Sequence, residues 1–312
     1  MSKRLAVAVS RVCRRAAFGS AARVLVVCVA SFGALSIGAL VFAEEPEMRE
    51  RHFEYLGHDI FYVEGGDGPP MIFLHNGGTS HRIWEKQMAH FAKRYHVYAA
   101  DHLGFGRSAK PDIEYPFAIH YGQLEAFIEH IGESRVTLVG HCMGGAMALN
   151  YTARHPDRVE RLILCNVYTE RTLLAGSLAA MYRGLSSDKQ ALAAAEANAL
   201  LSPPYEGYSD DPRVNVTLTR VIARADTYAV SDTLSLPEGM PPVLLIWGAD
   251  NPILPLTAGE ALRERMDFDN FTALAGCQHM AMIEKPEAFI EAMEAFLSES
   301  PTKNVKEAAA AN

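Results

Sequence analysis

A cysteine stands at the apex of a glycine-flanked turn in the stretch VTLVGHCMGGAMALNY, residues 136–151. The apolar run before the turn is typical of a buried strand, and the pattern after it is typical of a helix. Gly140 and Gly144 would let the two elements approach closely, with Cys142 exposed on a strained turn above the sheet. The helix N-terminus would lower the pKa of the thiol, and the backbone N–H of Met143 would face negative charge developing there. This arrangement suits a nucleophile that attacks a carbonyl carbon.

The composition limits the class of protein that could hold this cysteine. The chain has 312 residues, of which 49% are hydrophobic and 21% charged, with a formal net charge of −8. That length suits one large α/β domain with an insertion, or two small domains. A mildly acidic chain without a block of Lys and Arg argues against a nucleic-acid partner. Since no metal-ligand spacing occurs among the cysteines and histidines, we expect chemistry without a metal or another cofactor.

The N-terminal 43 residues have the order of an export leader. An apolar run, VLVVCVASFGALSIGALVFA at residues 24–43, is followed by the acidic EEPEMRE and preceded by the basic residues Lys3, Arg4, Arg11, Arg14, Arg15 and Arg23. Basic, apolar and then small residues indicate a signal peptide, with VFA before Glu44 as the cleavage site. At ~1.5 Å per residue, the run is also just long enough to cross a hydrocarbon core of ~30 Å as one helix. The sequence therefore predicts residues 1–43 as a signal peptide or membrane anchor, with the rest secreted, periplasmic or membrane-anchored outside the cytoplasm.

Three cysteines lie beyond this leader: Cys142, Cys165 and Cys277. An odd number in an exported domain leaves at least one thiol free or paired with another molecule. Cys165 and Cys277 fit small buried apolar residues. The alternative is that one of them is a resolving thiol, which forms a reversible disulfide with Cys142.

The distribution of apolar runs predicts an α/β fold. Eight short runs bounded by turn residues indicate strands, at 52–56, 60–64, 71–75, 96–100, 136–140, 162–166, 242–247 and 271–275. Segments of helical period between the later runs predict a mostly parallel sheet with helices on both faces. Residues 169–236 show helical patterns without a convincing strand, which predicts a helical cap between the core segments 51–168 and 237–299. Residues 300–312 lack periodicity and predict a disordered tail.

The chain resembles the α/β-hydrolase superfamily, in the branch that has a helical cap after strand six. The resemblance runs from about residue 54 to 297 and rests on five motifs in order: FLHNGG (73–78), DHLGFGRS (101–108), GHCMGG (140–145), WGADNPILP (247–255) and GCQHMAMIEKPEAF (276–289). It implies an eight-stranded sheet with Cys142 as the nucleophile. It also implies the N–H of Gly77 as the second oxyanion donor, and His279 as the base whose Nε2 accepts the proton. We expect the remaining polar residues of these motifs to be structural: His75, Asp101, His102 and His141.

The acid of the catalytic set is where the sequence departs from the family. The family pattern is roughly G-x-x-D-P, and counting from Gly248 places Asn251 at the position of the acid, with Asp250 one residue early. A thiol can give its proton to His279 beforehand, so a neutral Asn that only orients the ring can suffice. Papain-like proteases use Cys, His and Asn in this way on another fold. The candidate orienter is therefore Asn251, with Asp250 as the alternative.

These residues predict a cofactor-independent hydrolase of the esterase or thioesterase type, or an acyltransferase. Its small-molecule substrate would be a carboxylic ester, thioester or lactone, and the intermediate an acyl group on Cys142. The alternative is a non-catalytic ligand-binding protein that keeps the pocket and the cap. The dehalogenase and epoxide-hydrolase branches need an aspartate at position 142, so the sequence disfavours both.

Overall fold

The structure is a computed structural model of the chain, and it describes residues 22–31, 34–43, 46–167, 211–224, 234 and 236–299. The chain divides into two compact units, Met1–Pro46 and Glu47–Asn312. In the first unit, Ala22–Ser31 and Ala34–Ala43 pair as antiparallel strands, where the sequence suggests a single apolar span. None of the helices in the described part of the chain combines the length and the apolar character needed to cross a membrane. The leader function of residues 1–43 stays a prediction.

The second unit contains one eight-stranded sheet. Its strands are β1 Met48–Tyr55, β2 His58–Gly65, β3 Pro70–Leu74, β4 His96–Ala100, β5 Val136–His141, β6 Val159–Cys165, β7 Val243–Gly248 and β8 Asn270–Leu274. They lie in the order β8-β7-β6-β5-β3-β4-β2-β1. Strand β2 runs antiparallel to its neighbours β1 and β4, and the other pairs are parallel. The predicted mostly parallel sheet is confirmed, and the carboxyl ends of β3 to β8 meet at one edge.

Helices cover both faces of this sheet, as predicted. The α-helices of the described residues are α1 Glu85–Phe91, α2 Phe117–Ile131, α3 Met143–Arg154, α4 Pro212–Ala223, α5 Leu256–Met266, α6 Ala281–Glu284 and α7 Pro286–Ser298. Neighbouring residues of β5 enter opposite apolar clusters, since successive side chains of a strand point to opposite faces. Leu138 belongs to the cluster that contains Phe127 of α2, and Val139 belongs to the cluster that contains Phe289 of α7.

The predicted cap, residues 169–236, lies mostly outside the described residues, and so does the predicted tail, 300–312. Within the cap range, α4 is described, and its Val214, Leu218 and Val221 are buried in the same apolar cluster as Leu138. Arg220 donates to the carbonyl of Ile113 at 2.8 Å. Helix α4 therefore packs over loops at the carboxyl edge of the sheet, where the sequence places the catalytic residues.

Candidate active site

The backbone at Cys142, between β5 and α3, is held in an unusual conformation. Its φ is 50° and its ψ is −108°, a region that residues with a side chain rarely adopt and that costs free energy. Two hydrogen bonds hold it there: the N–H of Cys142 donates to the carbonyl of Cys165 at 2.9 Å, and its carbonyl accepts from Ala146 at 3.0 Å. Cys142 therefore lies in a strained turn at the carboxyl end of β5, between the strand and the helix that the sequence predicts.

The glycines on either side of Cys142 permit this turn because there is no room for a side chain. A Cβ atom on Gly140 would lie 2.6 Å from the carbonyl oxygen of Gly144, and one on Gly144 would lie 2.4 Å from that of Leu74. Real Cβ atoms do not approach backbone oxygens so closely. Helix α3 therefore starts in direct backbone contact with β3 and β5.

The loop after β3 brings Gly77 next to the turn. A Cβ atom on Gly77 would lie 3.9 Å from the sulfur of Met143 and 3.1 Å from a methyl group of Leu218 in α4. The loop is tied to itself, because Thr79 Oγ1 donates to the side-chain oxygen of Asn76 at 2.7 Å. Gly77 and Met143, the two predicted oxyanion donors, are therefore neighbours beside Cys142, with Leu218 above them. The sequence gives no signal that Leu218 lies beside the predicted oxyanion donors, since this contact depends on how α4 packs.

The electrostatic setting of the thiol differs from the prediction. Burial raises the pKa of Cys142 to about 12, although a hydrogen bond from the N–H of Met143 lowers it. The predicted lowering of this pKa is therefore wrong. The helix N-terminus stabilises the thiolate of Cys142, but burial in a low-dielectric environment destabilises the thiolate by more.

His279 is fixed in the loop between β8 and α6. The carboxylate of Glu284 accepts from the N–H groups of the two flanking residues, Gln278 at 2.6 Å and Met280 at 2.9 Å. The carbonyl of His279 accepts from Asn166 Nδ2 at 2.7 Å, while Asn166 Oδ1 accepts from the N–H at the end of β7. These contacts place the imidazole at the carboxyl edge of the sheet.

The imidazole of His279 is neutral in this setting. The residue is 4% exposed, and burial lowers its pKa to about 4. In the described part of the chain, no hydrogen bond joins its ring to the thiol of Cys142. The predicted thiolate–imidazolium pair is therefore wrong for this structure, since burial favours the uncharged form of both partners. The ring lies beside that of His141, with centroids 4.7 Å apart. The sequence predicts only a structural role for His141 and gives no signal for this contact.

The structure distinguishes the two candidate orienters of His279. Asn251 is buried, and its Nδ2 lies 3.1 Å from His279 Nδ1. Asp250 has an exposed side chain, while its backbone N–H donates to the carbonyl of Cys277 at 2.9 Å. The count from Gly248 therefore identifies the residue in contact with the ring, and Asp250 does not contact it.

The other polar residues of the motifs make structural hydrogen bonds. Asp101 Oδ1 accepts from the backbone of His81 at 2.7 Å, and Oδ2 accepts from that of Arg107 at 2.7 Å. His102 donates from its backbone to His75 Nε2 and from its ring to the carbonyl of His75, both at 2.9 Å. These bonds join the loop after β3 to the loop after β4.

The three described thiols, of Cys142, Cys165 and Cys277, are all free. Cys165 and Cys277 are fully buried in the apolar cluster on the α7 face of the sheet. Among the residues that the structure describes, no group of three or more His, Cys, Asp and Glu side chains could hold a metal ion.

We predict that Gly248→Ala disturbs the loop that holds His279. A Cβ atom there would lie 1.8 Å from the carbonyl oxygen of Gln278, so backbone must move. Overpacking of this kind should lower the free energy of unfolding by about 3 kcal/mol, measured by urea denaturation. Gly239→Ala is the control, because its Cβ would meet nothing within 4 Å and only its φ of +81° is strained. Equal losses in the two variants would contradict the packing of the loop against β7.

Comparisons with known proteins agree with this architecture. The profile of a family described as alpha/beta hydrolase fold matches residues 69–286. The 2-hydroxy-6-oxo-6-(2'-aminophenyl)hexa-2,4-dienoic acid hydrolase of Metapseudomonas resinovorans is 28% identical over 270 residues, which cover 80% of this chain and 91% of that protein. A haloalkane dehalogenase of Bradyrhizobium diazoefficiens is 40% identical over 118 residues, 37% of this chain and 38% of that protein.

The fold is also shared with a solved structure. The enol-lactonase from Burkholderia xenovorans LB400 aligns with a TM-score of 0.63 at 21% identity, covering 80% of this chain and 100% of that one. The relatives named above are hydrolases, which supports a hydrolase function. The family profile covers more than half of the chain, over the same strands and loops that form the site. The chain belongs to the alpha/beta hydrolase fold family.

Proposed function

We propose that the protein is a hydrolase or acyltransferase that attacks a carboxylic ester, thioester or lactone and forms an acyl intermediate on Cys142. The observation that supports this most strongly is the strained turn at Cys142, whose φ of 50° presents the thiol beside Gly77 and Met143. Strained backbone of this kind persists where the surrounding structure enforces it, often at active sites. The order of residues 1–43 supports the further proposal that the protein acts outside the cytoplasm.

The reaction would proceed by nucleophilic attack at the carbonyl carbon. The thiol first gives its proton to hydroxide in the solvent, and the thiolate sulfur of Cys142 then forms a bond to that carbon. The electron pair of the carbonyl moves to its oxygen, where the N–H groups of Met143 and Gly77 stabilise the charge. Collapse of this intermediate expels the leaving group with its bonding electrons and leaves a thioester on Cys142. Water or an acceptor molecule then takes the acyl group.

The chemistry of sulfur favours a carbonyl substrate over a haloalkane. A thiolate that displaced a halide would form a thioether, and water does not cleave a thioether. Such an enzyme would stop after one turnover, whereas a thioester on Cys142 can be hydrolysed or transferred. Similarity to a haloalkane dehalogenase over 118 residues therefore supports the common fold and does not extend to its named activity.

The alternative is a ligand-binding protein without catalysis. It is favoured by the uncharged thiol and imidazole, since burial raises the pKa of Cys142 to about 12 and lowers that of His279 to about 4. Against it stands the cost of a strained turn that presents a thiol. A binding site has no need for a residue with a side chain at a φ of 50°.

A substrate panel tests the proposed function. Full-length protein is incubated with p-nitrophenyl esters, aryl thioesters, a lactone and a haloalkane, and product release is followed for each. We expect turnover of the p-nitrophenyl esters and aryl thioesters and none of the haloalkane, with Cys142→Ala as the control for background hydrolysis. Halide release, or acyl ligands that bind equally to both proteins without being turned over, would contradict the proposal.

A further inference from the structure

The side-chain amide of Asn251 has three neighbours that decide which way it faces. Its Oδ1 accepts from the backbone N–H of Ile253 at 3.0 Å and from that of Leu254 at 3.1 Å. Only the amide oxygen can accept these two bonds, because the NH₂ group is a donor. The NH₂ group of Asn251 therefore faces Nδ1 of His279 at 3.1 Å. A flipped amide would leave two backbone donors facing an NH₂ group and therefore unpaired, which is unfavourable.

This orientation determines where the imidazole of His279 holds its proton. Nδ1 receives a hydrogen bond from Asn251, so it must offer a lone pair. A neutral imidazole whose Nδ1 is an acceptor has its proton on Nε2. In a Ser-His-Asp enzyme the carboxylate accepts from Nδ1–H instead, which leaves Nε2 free to accept a proton. Exchange of that Asp for Asn imposes the other tautomer and lowers kcat about 10⁴-fold.

We infer that Asn251 is a positioning residue that keeps His279 a hydrogen-bond donor at Nε2, so that the site takes acyl donors whose leaving group departs as a stable anion. Thioesters, aryl esters and enol esters belong to this class, and alkyl esters do not. The substrate class rests on the proposed function of Cys142, whereas the tautomer of His279 does not.

The proton balance explains this restriction. Because Nε2 of His279 already has a proton, the proton of the Cys142 thiol goes to hydroxide in the solvent before attack. The thiolate sulfur then bonds to the acyl carbon, and the bond to the leaving group breaks with its electron pair on the departing atom. A thiolate, phenolate or enolate leaves without taking up a proton. An alkoxide needs a proton from a general acid, and the N–H of a neutral imidazole is too weak an acid to supply one.

Nitrogen NMR of the full-length protein tests the tautomer without any substrate. Two-bond ¹H–¹⁵N correlation spectra distinguish protonated from unprotonated ring nitrogens, and His279→Gln identifies the signals. We expect a protonated Nε2 in the wild type and a protonated Nδ1 in Asn251→Asp, which keeps the acceptor for Ile253 and Leu254. Asp250→Asn, an exchange at the exposed neighbour, should keep the wild-type pattern. A protonated Nδ1 in the wild type would overturn the inference.

Leaving-group dependence tests the substrate class. A phenyl thioester and an ethyl ester of the same acid are compared by kcat/KM in the wild type and in Asn251→Asp. We expect the preference for the thioester to fall about 100-fold in Asn251→Asp, because its His279 can accept and return a proton. An unchanged preference would overturn the substrate class. If neither protein turns over either compound, the proposed function and the substrate class fail together, while the NMR result still decides the tautomer.

Discussion

Replacing Cys142 by Ala is expected to lower kcat for acyl substrates by about 10³-fold or more and to leave the fold intact. The substitution removes the sulfur that forms the covalent intermediate and leaves only the oxyanion donors of Met143 and Gly77. It keeps a Cβ atom at a φ of 50°, so the backbone strain is the same in both proteins. Kinetics with an aryl thioester and thermal unfolding followed by circular dichroism measure the two effects.

Cys165→Ala is the matched control for this variant. It removes a thiol of the same size from the end of β6, while its backbone carbonyl still accepts from the N–H of Cys142. The side chain is fully buried in the apolar cluster on the α7 face of the sheet, so we expect a small loss of stability and little change in kcat. If Cys142→Ala retained wild-type turnover, the nucleophile would have to be another group.

Lowering the pH from 7 to 5 is expected to reduce the free energy of unfolding by about 6 kcal/mol or more. The cause is a set of buried histidines at the carboxyl edge of the sheet: His75, His102, His120, His141 and His279, each at most 4% exposed. Burial lowers the pKa of His75, His120 and His279 to about 4, and that of His102 and His141 well below 6.5. Each must stay neutral in the folded protein.

The sign of the effect follows from where the protons bind. In the unfolded chain these histidines take up protons near their ordinary pKa of about 6.5. In the folded protein they do so only at lower pH, near 4 for His75, His120 and His279. Stability is therefore complete above pH 6.5 and is lost as the pH falls from 6.5 towards 4. At pH 5 each histidine with a pKa of about 4 accounts for about 2 kcal/mol, so three of them approach the whole stability of a typical domain.

Urea denaturation across this pH range measures the loss. His120→Gln should reduce the slope of unfolding free energy against pH by up to one proton, because it removes one titrating histidine. The fold should be kept, since a Gln amide can still donate to the carbonyl of Leu103, as the ring does at 2.8 Å. His52→Gln is the control, since His52 is exposed on β1. A protein equally stable at pH 7 and pH 5 would contradict the burial of neutral histidines.

Much of the architecture could be predicted from local sequence pattern. Each of the eight apolar runs contributes to a strand of the sheet. The buried parallel strands among them follow from short continuous apolar segments between turns. The position of Asn251 followed from a count along one loop starting at Gly248. The turn at Cys142 followed from two glycines whose absent side chains permit close backbone contact. All these features depend on residues near one another in the sequence.

The electrostatics of the site could not be predicted in the same way. The pKa of Cys142 depends on burial by distant segments, and this reversed the expected direction. The orientation of the Asn251 amide depends on backbone donors at Ile253 and Leu254, which become visible only when the loop is folded. The sequence pattern of residues 24–43 also allowed a single helix, whereas the described backbone consists of two strands.

Intact-protein mass spectrometry after acid quench tests the central claim most directly. Full-length protein is mixed with an aryl thioester, quenched during turnover and weighed, and the modified peptide is then sequenced. We predict an added mass equal to the acyl group, located on Cys142, because a His279 that donates at Nε2 does not activate water and the acyl intermediate accumulates. Turnover of the thioester with no acyl group on Cys142, or with the acyl group on another residue, would contradict the account.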